Sequence, residues 1–270
     1  MKIKVNERFH EFRETATLFE VQRQVKPEAD VLIVNGFPVS SDVTLITGDE
    51  VVLIRRGEIP SRAELEALMT ARHTPGVHRK IKAAVVGIAG LGGLGSSVAV
   101  ALARLGVGML ILADYDVVEP SNLNRQQYFA DQIGMSKVSA LSENLRRINP
   151  YGRFTGRQIT LDGDNLASVF EEAAVLVEAF DSPEAKAMLV NTAAECMPRC
   201  FVVAASGLAG FGASESIGIT RFGKRGFVVG DGVTAAAPGV GLMSPRVGVA
   251  AHHQANLVLR LLLGEEGSRA

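Results

Sequence analysis

The chain has 270 residues, 47% of them hydrophobic and 21% charged, an ordinary balance for a globular protein with an ample core. Its 28 basic and 29 acidic residues give a formal net charge of -1, which argues against both a global basic field for nucleic acid and an acidic solvating tail. Two cysteines, Cys196 and Cys200, exclude a disulfide framework and a four-thiolate zinc site.

Met1 to Phe9 alternates charged and apolar residues, unlike a signal peptide, and the apolar stretches are short or broken by charge. A cytoplasmic enzyme is expected, with neither membrane nor nucleic acid as partner. Lys2 to Asn6 alternates with a period of two and predicts a strand; Thr17 to Gln24 predicts a short helix. Val31 to Val34 is a second strand followed by the turn signal Asn35-Gly36, and Val51 to Ile54 a third after Thr47-Gly48-Asp49. These elements predict a compact α+β domain over residues 1–58. Ser61 with Glu64 has the capping-box pattern of a helix start, and Thr74-Pro75-Gly76 is its stop, so residues 59–79 read as a helical linker.

From residue 80 to 270 the pattern becomes strand–helix alternation. Strands are predicted at Ala83 to Ile88, Met109 to Ala113, Leu176 to Ala179 and Phe201 to Ala205. Helices are predicted at Ser96 to Leu105, Lys137 to Ile148 and Pro183 to Cys196. This is the signature of an α/β protein with a Rossmann-like, doubly wound, mostly parallel sheet. Gly207 to Gly232 reads as a mixed-sheet extension, and Arg246 to Leu263 as a closing helix stopped by Gly264.

Gly90, Gly92 and Gly95 form a GxGxxG, with Gly93 beside them, between the first of these strands and its helix. Glycine allows the tight turn and a close backbone approach to phosphate, and the helix N-terminus attracts an anion; close strand–helix packing alone would also ask for glycine. Asp114 ends the next strand, where a carboxylate accepts hydrogen bonds from the ribose of NAD or ATP alike. Asp116 reads equally as a site acid or a turn residue. Downstream, Asn122 and Arg125 in Ser121-Asn122-Leu123-Asn124-Arg125-Gln126, and Lys137 at a helix start, add an amide and two cations suited to a triphosphate. A dinucleotide enzyme would not need both. Asp181, after a later strand, can hold Mg²⁺ against phosphates or cap the helix beginning at Pro183.

Gly90-x-Gly92-Gly93-Leu94-Gly95, Asp114, Ser121 to Gln126 and Gly134-x-x-Lys137 resemble, in order and spacing, the ThiF/MoeB/HesA family, bacterial relatives of the ubiquitin-activating enzyme. The resemblance runs from about Lys80 to Gly264. It implies binding of Mg-ATP and adenylation of the C-terminal glycine carboxylate of a small sulfur carrier with a Gly-Gly end. By match, Asp114 would hold the ribose, Asn122, Arg125 and Lys137 the phosphates, and Asp181 the Mg²⁺. It also implies a homodimer in which an N-terminal arginine reaches the partner's ATP; Arg72 is the candidate, although the sequence around it departs from the family pattern. The first domain resembles ThiS-type carriers, which implies a β-grasp, ubiquitin-like fold. It runs on through Arg55-Arg56-Gly57-Glu58 without a terminal Gly-Gly, so it is expected to be structural or regulatory, not a substrate. No CxxC pair is present, so no zinc is expected, and Gly207 to Pro245 lacks the cysteine used by some relatives for sulfur transfer. The chain is most similar to the shorter ThiF-type enzymes of thiamine biosynthesis. The rival expectations are an NAD-dependent oxidoreductase, a tRNA-modifying dehydratase of the same superfamily, and a non-catalytic partner-binding protein.

Overall fold

The computed structural model describes residues 1–265; the last residues of the 80–270 span, 266–270, lie outside the described residues. The chain divides into two compact units, Met1–Pro75 and Gly76–Ala270, with the division inside the segment read as a linker.

The first unit opens with the antiparallel pair β1 (Lys2–Val5) and β2 (Arg8–Glu11), then α1 (Leu18–Val25), β3 (Val31–Val34), β4 (Phe37–Pro38) and β5 (Glu50–Ile54). The sheet order is β2-β1-β5-β3-β4, with β1 and β5 parallel at its centre, a β-grasp-like arrangement. Thr17 and Glu20 cap α1 reciprocally in a capping box, and Leu18 and Val21 on one face of the helix meet Ile3, Val5, Leu32, Val51 and Leu53 from the sheet. Alternation in β1 and β5 puts every second side chain into this core. The unit ends in α2 (Arg62–His73), whose Ser61 accepts a hydrogen bond from the Glu64 amide at 3.2 Å.

The second unit runs α3 (Pro75–Ala83), β6 (Val85–Ala89), α4 (Gly93–Leu105), β7 (Met109–Asp114), α5 (Lys137–Ile148), β8 (Arg153–Gln158), α6 (Leu166–Val169), β9 (Val175–Glu178), α7 (Pro183–Cys196), β10 (Phe201–Ala205), β11 (Gly218–Phe222), β12 (Gly226–Gly230) and α8 (Ser244–Leu263). Its seven-stranded sheet has the order β11-β12-β10-β9-β6-β7-β8 and is parallel except for β11. Val86, Ile88, Leu110, Leu112 and Val203 point to one face, where they pack with Val98, Leu102, Leu141, Leu145 and Val258 of α4, α5 and α8. Ile111, Leu176 and Val202 point to the other, against Leu166, Leu189 and Ala193 of α6 and α7. Coverage of both faces explains the continuous apolar strands. The chain moves from β6 to β7 in one direction and returns to β9 on the other side of β6. The carboxyl ends of β6 and β9 therefore flank the topological switch point, where such sheets hold their ligands.

Candidate functional site

The site is built at that switch point, on the turn from β6 into α4. Gly90 has φ +87°, and a Cβ there would lie 2.8 Å from the Ala179 carbonyl oxygen, so only glycine turns the chain this close to the end of β9. Gly95 lets α4 approach that turn, since a Cβ on it would fall 1.9 Å from the Gly90 carbonyl oxygen. Gly92 is the N-cap of α4 and supplies no side-chain acceptor to the first-turn amides. A Cβ at Gly92 would meet only Gln126 Nε2, at 3.8 Å, so the helix start is open to an anion. Ser96 and Ser97 donate back to the carbonyls of Gly92 and Gly93 at 2.6 and 2.8 Å and are linked to the Gln127 amide and side chain.

Asp114, the buried last residue of β7, has both carboxylate oxygens held: Oδ2 accepts from the Leu91 amide at 2.6 Å and Oδ1 from the Asp116 amide at 2.8 Å. Each oxygen retains a second lone pair for a ribose hydroxyl. Lys137 is buried at the first position of α5, where a cation opposes the helix dipole, and its Nζ pairs with Asp116 Oδ2 at 2.7 Å. Asp116 thus pairs with Lys137 while its amide holds Asp114, and Lys137 carries a local counter-charge. Asn122 is buried inside its own loop, its Oδ1 accepting from the Glu119 amide at 3.0 Å. Arg125 is half-buried, with its aliphatic stem over Gly93 at the start of α4. Its guanidinium donates to two neutral acceptors, Asn124 Oδ1 at 2.8 Å and the Ser121 carbonyl at 3.4 Å.

Asp181 is exposed, beyond the end of β9, and the alternative reading as a helix cap does not hold: Ser182 is the N-cap of α7 and accepts from the Ala185 amide at 3.3 Å. Arg72 lies in the first unit, exposed on α2, with Glu7 Oε1 at 3.9 Å from its guanidinium. The two thiols differ in setting: Cys196 is exposed, and Cys200 is buried.

Several side chains that support the site were not singled out from sequence. Tyr128 donates to the Leu91 carbonyl at 2.8 Å from beneath the turn, and burial, reinforced by the negative charges of Asp114 and Asp116, raises its phenol well above the ordinary range. Glu178, with no solvent exposure, accepts from Lys186 Nζ at 2.9 and 3.1 Å and from the amides of Phe180 and Ala205. Burial raises its carboxyl, against the opposing pull of Lys186. Arg246 at the start of α8 binds Asp231 Oδ2 at 2.7 Å and the carbonyls of Gly212 and Ala213, rooting the glycine-rich segment after β10. The amides of Thr234 and Val233 hold the Asp231 carboxyl down, to about 2. A strand ending in an acid, with a lysine on the following helix, is the one sequence signal that could have marked the Glu178–Lys186 pair.

A family model described as the ThiF family matches residues 66–269, and one described as ThiS-like ubiquitin matches residues 1–57. Among curated proteins, the chain is 38% identical over 123 residues to the sulfur carrier protein ThiS adenylyltransferase of Bacillus subtilis (strain 168), covering 44% of this chain and 36% of that protein. It is 38% identical over 120 residues to ubiquitin-like modifier-activating enzyme 5 of Gallus gallus, covering 39% of this chain and 30% of that protein. The matches thus span about a third of these curated relatives. Among solved structures, E. coli tRNA N6-threonylcarbamoyladenosine dehydratase, TcdA, in complex with ATP superposes with a TM-score of 0.65 at 23% identity, covering 78% of this chain and all of that one, a likeness of fold.

Proposed function

The chain belongs to the ThiF family, with a ThiS-like ubiquitin domain at its N-terminal end, and from that premise we propose that it adenylates the C-terminal glycine carboxylate of a small β-grasp carrier protein, using ATP. The observation that carries the reading is the joint hold on Asp114. Amides from the glycine turn and from Asp116 fix an acid suited to a ribose beside an uncapped helix start, with the aliphatic stem of Arg125 lying over that start. The named activity of the Bacillus relative supports a sulfur carrier as substrate, and thiamine biosynthesis is the setting we propose.

In this reaction the carrier carboxylate attacks the α-phosphorus, the bond to pyrophosphate breaks, and a carrier acyl-adenylate and pyrophosphate leave. No base is required, because a terminal carboxylate is ionised at neutral pH. Asp114 orients the ribose. The first-turn amides of α4 and Arg125 stabilise charge on the phosphates, where it grows as pyrophosphate departs. Asn122 keeps the Arg125 loop in shape, and Lys137 acts from beside Asp116. Asp181 would hold a Mg²⁺ ion, which screens the phosphate oxygens; an exposed carboxylate near a phosphate cradle suits an ion that keeps most of its waters. Arg72 is proposed to serve the partner subunit of a homodimer.

The test is ATP–pyrophosphate exchange and mass spectrometry of the adenylate with a panel of Gly-Gly carriers, beside equilibrium binding of ATP and NADH. Carrier-dependent exchange is expected, with Arg125→Ala abolishing it and Lys137→Ala reducing it strongly while the fold is kept. Tighter binding of NADH than of ATP would make the chain an oxidoreductase. ATP turnover that depends on tRNA and not on a carrier would make it a dehydratase.

A further inference from the structure

We propose that the buried Glu178 and the half-buried Lys186, braced by Gln254, form a positioning pair that fixes the Ala179–Asp181 wall of the nucleotide crevice and so sets how strongly Mg²⁺ couples to bound ATP. The inference rests on the adenylation reading and deepens it. Glu178 ends β9 with no solvent exposure, at the switch point and opposite the glycine turn. One carboxylate oxygen takes the Phe180 amide at 2.7 Å and Lys186 Nζ at 2.9 Å; the other takes the same Nζ at 3.1 Å and the Ala205 amide at 3.3 Å. Lys186 donates a further bond to the Ala205 carbonyl at 3.1 Å. From α8, Gln254 Nε2 donates to the carbonyls of Glu178 and Val203, both at 3.2 Å. Two strand ends and α7 are thereby locked to one carboxylate, and α8 to the backbone carbonyl of the same residue.

What this hold positions is the chain that follows. The Ala179 amide bonds the Ala89 carbonyl at 2.9 Å, and the Ala179 carbonyl lies against Gly90. Phe180 is held through its amide by Glu178, and Asp181 comes next, exposed and with no hydrogen-bond or ion-pair partner among the described residues. A lone acid on a short segment reaches a defined place only if the segment's backbone is fixed, and here the backbone is fixed one residue before it. Burying the Glu178 carboxylate carries a desolvation cost that an apolar side chain of similar volume would avoid, so the polar connections point to a task in positioning. Glu178 and Lys186 touch neither nucleotide nor metal in this scheme; they act through the 179–181 segment, as outer partners of metal ligands do.

The experiment titrates the full-length protein with ATP in chelator and again in Mg²⁺, reading equilibrium binding rather than turnover. The double variant Glu178→Gln/Lys186→Met removes both charges together, so no carboxylate is left buried without its cation. Its metal-free ATP affinity is expected within about twofold of the parent, while the gain in affinity on adding Mg²⁺ falls by about 10-fold or more. Lys186→Arg, which keeps the charge and moves the donors, is expected to fall between, and it carries the test alone if the double variant does not fold. Asp181→Asn is expected to lose the Mg²⁺ gain outright. If Asp181→Asn loses the gain and the folded Glu178 and Lys186 variants keep it in full, the positioning role is overturned and the adenylation reading stands. If the parent binds no ATP, or binds it with no Mg²⁺ gain, the underlying reading fails with it.

Discussion

Replacing Gly95 by alanine tests the nucleotide turn most directly, because two opposed effects of known size meet at one methyl group. Gly95 lies in the first turn of α4, where alanine improves on glycine by about 1 kcal/mol of helix propensity. The added Cβ would sit 1.9 Å from the Gly90 carbonyl oxygen and 3.3 Å from Ala179 Cβ. Real Cβ atoms essentially never come within 3.0 Å of such a neighbour, so the helix start or the turn must shift by about 1.1 Å. Neither can yield cheaply: the clashing atom is backbone, and Gly90 is itself pressed against Ala179. Overpacking of this kind costs about 1–3 kcal/mol, which offsets the propensity gain and leaves a net loss of up to about 2 kcal/mol. A displacement of about 1 Å at the phosphate cradle is also enough to weaken binding or turnover by about 100-fold. Gly248→Ala is the control. It lies inside α8 with nothing within 4 Å of its Cβ position, so the same exchange there is expected to stabilise by about 1 kcal/mol. Urea denaturation and ATP titration of both variants separate the effects. Equal midpoints for the two variants, with parental ATP affinity in Gly95→Ala, would refute the close-approach account of the glycine motif.

Tyr128→Phe leaves the buried Leu91 carbonyl without its donor, so urea unfolding should show a loss of about 1–3 kcal/mol together with weaker ATP binding; a variant unchanged in both contradicts the brace described for Tyr128. The native Asp231 carboxyl titrates at about 2, below its ordinary 3.8. A depressed acid contributes stability that is present above its unfolded value and lost as pH falls through the folded one. Melting curves of the parent should therefore show an Asp231-dependent loss between about pH 4 and about pH 2 that Asp231→Asn lacks, and identical slopes in that window would count against it. Cys200 is pushed up to about 12 by burial, whereas Cys196 is exposed, so iodoacetamide at about pH 8 should label Cys196 alone in the native protein. Peptide mapping that finds Cys200 labelled to a similar extent would contradict the packing at the start of β10.

The alternation of apolar strands with amphipathic helices was legible because both faces of the larger sheet are covered, and each central strand is uniformly hydrophobic. α5 and α7 have the boundaries read from sequence, since a serine precedes each and their apolar positions repeat at helical spacing. β8 was not legible: only Phe154 of its six residues is buried, so it carries neither a continuous nor an alternating pattern. β2 and β4 escaped for the same reason at the edges of the smaller sheet. α4 begins earlier than its propensity suggests because Gly93 and Gly95 are helical by need of space, not by preference. At the site, acids and cations at strand ends and helix starts were readable one by one. Their pairing was not, because Lys137 with Asp116 and Lys186 with Glu178 are joined by the fold, across 21 and 8 residues of chain.

That pairing changes how the two cations expected at the phosphates should be weighed. Lys137, Lys186 and Arg246 each meet a carboxylate at 2.7–2.9 Å. To an incoming polyanion, each such pair presents a dipole more than a charge, and its field falls off quickly. Arg125 is different: its guanidinium donates to an amide oxygen and a backbone carbonyl, so its charge is not offset by a carboxylate there, and its stem lies over the start of α4, where the uncapped amides add the positive end of the helix dipole. Attraction of ATP should therefore fall chiefly to Arg125 and the α4 terminus. Lys137 is better placed to hold Asp116, and through the Asp116 amide the Asp114 carboxylate, in register with the glycine turn. On the proposed function, recruitment of charge and orientation of the sugar would then fall to different groups, two tasks that sequence alone had merged into one pair of basic residues.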